Sequence, residues 1–284
     1  MESDAVAGPA RLALVTGAGG GLGRAMALAL VDAGHRVLCA EYDQGLLDEL
    51  LSQLPKDASD RAYPVLVDLT RADEVDGLIA KLEGQFGPID ILINNAGVAT
   101  SIIRGDIFRR PVTSDEMTPA VARRMFEINA IAPFSLCLQL LPGMKSRGWG
   151  RIINVTTSQD SLLRLGNIGY GGTKASLEAH SAILAQELPG TGVTLNVIVP
   201  GGVTNTAIIP DDCGWDRANM LQPTVMVPPL LWLLGEEGGD ANCKRIVGAE
   251  WRQPDGADGI AAMDPIGWPT PSRAFFPELA EAES

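Results

Sequence analysis

Arg11-Leu12-Ala13-Leu14-Val15 runs directly into Thr16-Gly17-Ala18-Gly19-Gly20-Gly21-Leu22-Gly23, and Arg24 to Val31 then reads as a helix. That order of strand, glycine turn and helix constrains the fold more than any other stretch. A short uninterrupted apolar run suits a strand buried on both faces, as in a parallel sheet. Gly17, Gly21 and Gly23 let the backbone turn tightly and approach a pyrophosphate, whose charge is favoured by the helix N-terminus behind them. A glycine cluster by itself is often only a turn. Here the flanking strand and helix, and the acid that follows, favour the binding role.

The alternation continues. Strands are expected at 36–40, 63–67, 90–93, 151–155, 194–199 and 245–249, with helices at 43–54, 72–86, 119–147 and 170–188. Repeated βα units with apolar strands imply an α/β, doubly wound parallel sheet of about seven strands with helices on both faces. Ligands then bind at the carboxyl ends of the strands.

Glu41 ends the second strand, about twenty residues past the glycines. An acid there hydrogen-bonds the adenosine ribose hydroxyls and repels the extra phosphate of NADP, so NAD(H) is expected over NADP(H). Gly20 and Tyr42 supply no offsetting base, although Arg24 or Arg36 would weaken the preference if it turned toward that phosphate. Glu41 or Asp43 can alternatively cap the next helix. Asn94-Asn95-Ala96-Gly97 follows the fourth strand, where asparagine also serves as an ordinary turn residue.

Tyr170-Gly171-Gly172-Thr173-Lys174 places a phenol and an ammonium four residues apart, on one face of the expected helix. A neighbouring cation favours the phenolate and brings it toward acid/base chemistry near neutral pH. Alone, the pair also fits a solvated helix.

T-G-A-G-G-G-L-G, D-L-T at Asp68-Leu69-Thr70, N-N-A-G and Y-G-G-T-K, in this order, resemble the short-chain dehydrogenase/reductase family over roughly residues 10 to 250. The resemblance implies a Rossmann-type subunit binding NAD(H) or NADP(H). Tyr170 would be the catalytic acid/base, and Lys174 would depress its pKa and contact the nicotinamide ribose. Asp68 and Leu69 would border the adenine, Asn95, Ala96 and Gly97 would line the cofactor, and Asn129 would serve a proton relay. A kink in the helix accounts equally for a buried Asn129. Relatives orient the substrate oxygen with a serine, and the family spacing places Thr157 there, with Ser158 as the alternative. Pro200, Gly201, Val203 and either Thr204 or Thr206 would meet the carboxamide, with Asn205 standing where a threonine is usual.

Specificity should lie where the chain departs from the family pattern. Residues 98–118 exceed the usual length, 204–228 reads as a substrate lid or a core-covering loop, and 251–284 extends past the last strand with Trp268, Phe275 and Phe276 before an acidic end at 278–284. Apolar positions Leu136, Leu140, Leu177, Ile183 and Leu184 exceed what one sheet face obviously needs, suggesting a homodimer or homotetramer.

A chain of 284 residues suits one domain, 1–284, and a charge of −13 disfavours nucleic acid and anionic membrane as partners. No uninterrupted apolar run approaches a membrane-spanning length, and the acidic start is unlike a signal peptide, so a cytoplasmic location is expected. Cys39, Cys137, Cys213 and Cys243 are scattered and His35 and His180 are the only histidines, so no metal site is expected. The expected function is NAD-preferring interconversion of a small-molecule secondary alcohol and ketone. The alternative is a non-catalytic NAD(H)-binding regulatory or structural protein of the same fold.

Overall fold

The computed structural model describes residues 9–267. Its sheet has seven parallel strands: β1 (Leu12–Thr16), β2 (Arg36–Glu41), β3 (Ala62–Leu66), β4 (Ile91–Asn94), β5 (Gly150–Val155), β6 (Val193–Val199) and β7 (Arg245–Val247). Their spatial order is β3-β2-β1-β4-β5-β6-β7, a Rossmann-like arrangement. The chain reverses its direction of winding between β1 and β4, which opens a crevice at their carboxyl ends.

All five residues of β1 and all seven of β6 are buried, which is why these strands are mainly apolar, broken only by Thr16, Thr194 and Asn196. Alternate residues feed opposite layers. Leu12 and Leu14 join Leu92, Ile152, Leu136, Leu140 and Met144 on one face, while Ala13 and Val15 join Ile93, Ile153, Met26, Leu30 and Leu230 on the other. The edge strand β3 tolerates Pro64, whose missing N–H costs little where no further strand pairs.

Two expected helices are interrupted. The 72–86 segment divides into Ala72–Val75 and Leu78–Phe86, and the rod Pro119–Arg147 carries a π turn at Glu127–Ile131. The π turn, with one extra residue, carries the buried Asn129 at its centre. The rod contains an 18-residue stretch apolar enough by composition to cross a bilayer, with a mean hydropathy of 1.3. Residue-by-residue reading missed that stretch because Pro133, Ser135 and Gln139 interrupt it; its buried residues pack on the sheet.

Leu136, Leu140, Leu177 and Leu184 are consumed by the molecule's own core, so they cannot serve an interface. Ile183 alone of the five stays outside, at 58% exposure. Phe126, Ile131 and Leu138 on the rod are the exposed apolar side chains that sequence reading passed over.

Beyond β7, the helix Gly256–Ala262 returns the chain so that Pro265 bridges Lys244. Trp268, Phe275, Phe276 and the acidic end lie outside the described residues.

Candidate active site

The glycine turn is shaped by conformation and close approach. Gly17 has φ +63° and Gly21 φ +49°, the left-handed region that disfavours any side chain. A Cβ on Gly23 would collide with the Gly17 carbonyl and the Asn95 amide. The Asn95 Nδ2 donates to the Thr16 and Gly17 carbonyls at 3.0 and 3.1 Å, and Thr16 Oγ1 accepts from the Asn95 and Ala96 N–H groups at 3.0 and 3.1 Å. Asn95 therefore fastens the turn to the end of β4, and Leu22 packs into the core beneath. The helix Gly21–Asp32 starts from Gly20 with no side-chain cap and no acid in its first turn. An uncapped N-terminus behind a glycine turn has the donors and dipole that a dinucleotide pyrophosphate needs.

The neighbouring loop closes on this turn. Thr206 Cγ2 lies 2.9 Å from where a Gly21 Cβ would stand. Thr204 bonds back to the Gly202 carbonyl at 3.0 Å, and Asn205 is held by Gln222 and Arg217. Of the hydroxyls weighed for that loop, Thr206 faces the glycines. Val203 packs with Ile209, Cys213, Met220 and Phe108. The Pro200 carbonyl accepts from Ala249, and Gly201 turns with φ +95°.

Glu41 is buried at the end of β2, its Oε2 accepting from the Gly19 N–H at 3.2 Å and its Oε1 from the Tyr42 N–H at 2.8 Å. Asp43 takes the capping role instead, accepting from Gly45 and Leu46. Arg24 is committed elsewhere: its Nε donates to the Gly19 carbonyl at 2.8 Å and its Nη1 pairs with Glu49 at 2.5 Å. Arg36 donates to the Phe86 carbonyl. Asp68 Oδ1 accepts from the Thr70 N–H and hydroxyl at 2.9 and 2.8 Å, and the Thr70 N–H bond is the main reason its carboxyl lies below the usual range. Leu69 packs against the core beside it.

Tyr170 opens the helix Tyr170–Gln186, entered through Gly169 at φ +78°. Burial pushes the phenol's pKa up, and the nearby Thr157 side chain works against that shift. Lys174 is 4% exposed and its Nζ donates to the Val155 carbonyl at 2.9 Å. Burial brings its pKa down to about 8, with the Glu178 carboxylate opposing. At Tyr170 desolvation outweighs the Thr157 contribution.

Ser158 Oγ accepts from the Ser161 N–H at 3.3 Å and shares a 2.7 Å bond with the Ser161 hydroxyl, starting the short helix Gln159–Leu163. Asn129 Oδ1 accepts from the Val98 N–H at 2.8 Å, while its Nδ2 donates to the Val98 carbonyl at 2.8 Å and Thr173 Oγ1 at 3.0 Å. Both side-chain N–H groups are engaged, so the amide has no donor left for a relay. Gly97 brings the chain within 3.3 Å of Asn129 Oδ1 and Lys174 Nζ, measured from an ideal Cβ.

Sequence reasoning missed Thr16, Asn154, Glu178 and Arg245. Asn154 accepts from Asn94 Nδ2 at 2.8 Å and donates to Ser181 at 2.7 Å, tying β4, β5 and the Tyr170 helix together. Glu178 carried a readable signal, since it stands one turn beyond Lys174 on the same face. Among the described residues, no three His, Cys, Asp or Glu side chains are placed to hold a metal ion.

The short chain dehydrogenase family profile matches residues 11–212. An acetoacetyl-CoA reductase of Allochromatium vinosum is 30% identical over 240 residues, covering 81% of this chain and 93% of the relative. A short chain dehydrogenase of Pseudocercospora fijiensis is 31% identical over 202 residues, covering 71% of this chain and 62% of that longer protein. A short chain dehydrogenase structure from Shigella flexneri complexed with NADP superposes with a TM-score of 0.74, covering 84% of this chain and 97% of that one. At 24% identity it speaks to the fold alone.

Proposed function

From the premise that the chain belongs to the short-chain dehydrogenase family of oxidoreductases, we propose that it interconverts a secondary alcohol and a ketone with NAD(H). The observation that carries this reading is the Tyr170 phenol against the Thr157 side chain, on a helix that also brings in Lys174. The glycine turn, Glu41, Asp68 and the Pro200–Thr206 loop would hold the dinucleotide, whose nicotinamide would supply the hydride acceptor or donor. In alcohol oxidation Tyr170 as phenolate accepts the hydroxyl proton, and in ketone reduction the neutral phenol returns it. Thr157 orients the substrate oxygen, because the Ser158 hydroxyl is already spent on its helix. Lys174 contributes positive charge beneath the phenol.

Glu41 supports NAD over NADP, since a 2′-phosphate would meet its carboxylate and Arg24 is already paired with Glu49. Residues 204–228 serve as the substrate lid of a single domain. Self-association through Phe126, Ile131, Leu138 and Ile183, as a homodimer or homotetramer, covers the exposed apolar side chains of the two long helices. Light scattering tests this: a monomer at micromolar concentration refutes it.

Tyr170→Phe tests the chemistry. Turnover of secondary alcohols, followed as NADH absorbance, should fall by roughly 10²- to 10⁴-fold with NADH affinity unchanged within about twofold. Near wild-type kcat in this variant removes Tyr170 from the role.

A further inference from the structure

Three consecutive residues where β5 leaves the sheet are each gripped by a different charged side chain. The Val155 carbonyl accepts from Lys174 Nζ at 2.9 Å, the Thr156 hydroxyl donates to Glu178 Oε1 at 2.7 Å, and the Thr157 carbonyl accepts from Arg245 Nη2 at 2.6 Å. Glu178 and Arg245 also pair with each other, Nε to Oε1 at 3.0 Å, with side chains only 2% and 8% exposed. Arg245 comes from the first residue of the edge strand β7, and its backbone is fixed by an N–H bond to the Asp264 carbonyl.

Such a pair needs a reason. Burying two charges contributes little net stability compared with a well-packed apolar pair, so stability alone does not explain it. Glu178 Oε2 has no partner among the described residues, which adds to the cost. The planar guanidinium, by contrast, gives what an apolar residue cannot: two donors in a fixed fork, one on Glu178 and one on a main-chain oxygen. Thr157 is thereby fixed between Thr156, held by Glu178, and Ser158, held as a helix cap.

We propose that Glu178 and Arg245 are positioning residues for the reaction: Arg245 fixes the Thr157 main chain so that its hydroxyl stays against the Tyr170 phenol, and Glu178 fixes Arg245. This rests on the assignment of Tyr170 and Thr157 above. Arg245→Lys separates positioning from charge, because it keeps a cation but loses the fork. A shift of even 1 Å in a reacting group can cost a hundredfold, and a partial loss of alignment should cost about tenfold in kcat.

The test that does not depend on turnover is titration of the phenol by tyrosinate absorbance in the cofactor-free full chain. Subtracting the Tyr170→Phe curve removes Tyr42 and Tyr63. The charged groups on the phenol's helix and the elements packed with it include Lys174 and Glu178, Arg245 from β7, Asp160 on the helix Gln159–Leu163, and Arg123, Arg124 and Glu127 on the adjoining rod; all but the substituted residues are unaltered in each variant. Because the Thr157 side chain works against the upward shift of the phenol, drawing it away should move the midpoint upward.

Thr157→Val and Arg245→Lys should each raise the midpoint, and the double variant should rise no further than either alone. Arg245→Lys should also lower kcat about tenfold with NADH affinity held within about twofold. An unmoved midpoint in Arg245→Lys, shifts that add in the double variant, or an unchanged kcat each overturn the proposal. Should Arg245→Lys not fold, Glu178→Gln combined with Arg245→Met removes both charges together, and an unmoved midpoint in that variant overturns the proposal equally. Failure of the underlying assignment shows separately, as a Tyr170→Phe enzyme that still turns over.

Discussion

Residues 11–97 shape the proposed cofactor cradle largely with main chain, whereas residues 98–118 and 207–222, on the proposed substrate side, are fastened by side chains. In the first region Gly17, Gly21 and Gly23 are required by φ or by contact distance, and Thr16 and Asn95 bond to backbone. In the second, Arg104 is paired with Asp106 and with Glu116 at 2.7 Å, and the Arg104 bond carries the Glu116 carboxyl down to about 2. The 98–118 insertion touches both walls of the cleft. Pro111 lies 3.0 Å from the ideal Cβ position of Gly166, Met117 3.0 Å from that of Gly169, and the Phe108 ring 4.8 Å from that of Trp215. Backbone-built sites tolerate few residue types and so carry a sequence signature. Side-chain-built sites admit many solutions and carry none.

The sharpest test of this contrast lies at β5, where the two regions meet. Thr157→Val is nearly isosteric and deletes one preorganised hydroxyl, so kcat should fall roughly a hundredfold. Ser158→Ala removes a helix cap and should cost stability of about 1 kcal/mol with little loss of kcat. Measuring kcat and thermal midpoint for both separates the roles. A severely impaired Ser158→Ala beside an active Thr157→Val would exchange them.

What the sequence revealed follows the same division. All seven strands and the glycine turn were legible because buried parallel strands and positive-φ glycines leave fixed patterns. The capping role of Asp43, which leaves Glu41 to the Gly19 and Tyr42 N–H groups, was not, since both acids suit either task until coordinates separate them. The buried positions Leu136, Leu140, Leu177 and Leu184 looked available for a partner because helical periodicity shows that a face is apolar, not what covers it. Glu178 and Arg245 are 67 residues apart, and no local rule connects them.

In the proposed mechanism, ketone reduction requires the neutral phenol together with charged Lys174. Burial raises the Tyr170 pKa and lowers that of Lys174 to about 8, so both required forms coexist below that value. As pH rises, Lys174 loses its proton first. The reductive kcat/KM should therefore be level below about 8 and fall above it, approaching tenfold per pH unit for a single essential proton. Lys174→Arg, which stays charged, should carry that limb to higher pH. A profile level well above 8 would detach Lys174 from the chemistry.

Cofactor choice probes the backbone-built side. NAD should exceed NADP by at least about tenfold in kcat/KM, from like-charge repulsion at Glu41. Glu41→Ala should narrow that ratio mainly by improving NADP, while the KM for the alcohol stays put. Equal kcat/KM with both cofactors in the unaltered enzyme would remove Glu41 as the selecting residue.

The smallest effect is expected where the insertion meets the lid. Phe108 and Trp215 lie in tilted contact, and Trp215 is 46% exposed, so the contact can be lost without opening the main core. Aromatic pairs of this kind couple by about 0.5–1.5 kcal/mol, equivalent to roughly two- to tenfold in an equilibrium or KM. Phe108→Ala and Trp215→Ala should each raise substrate KM within that range. The double variant should lose less than the sum, since the second substitution finds the contact already gone. NADH affinity should not move in any of the three, because the glycine turn is fastened by Asn95 and Thr16 rather than by the insertion. If Phe108→Ala weakens NADH as much as it weakens substrate, the two regions are mechanically one. The insertion would then help close the cofactor cleft through the lid's Thr206 contact with Gly21.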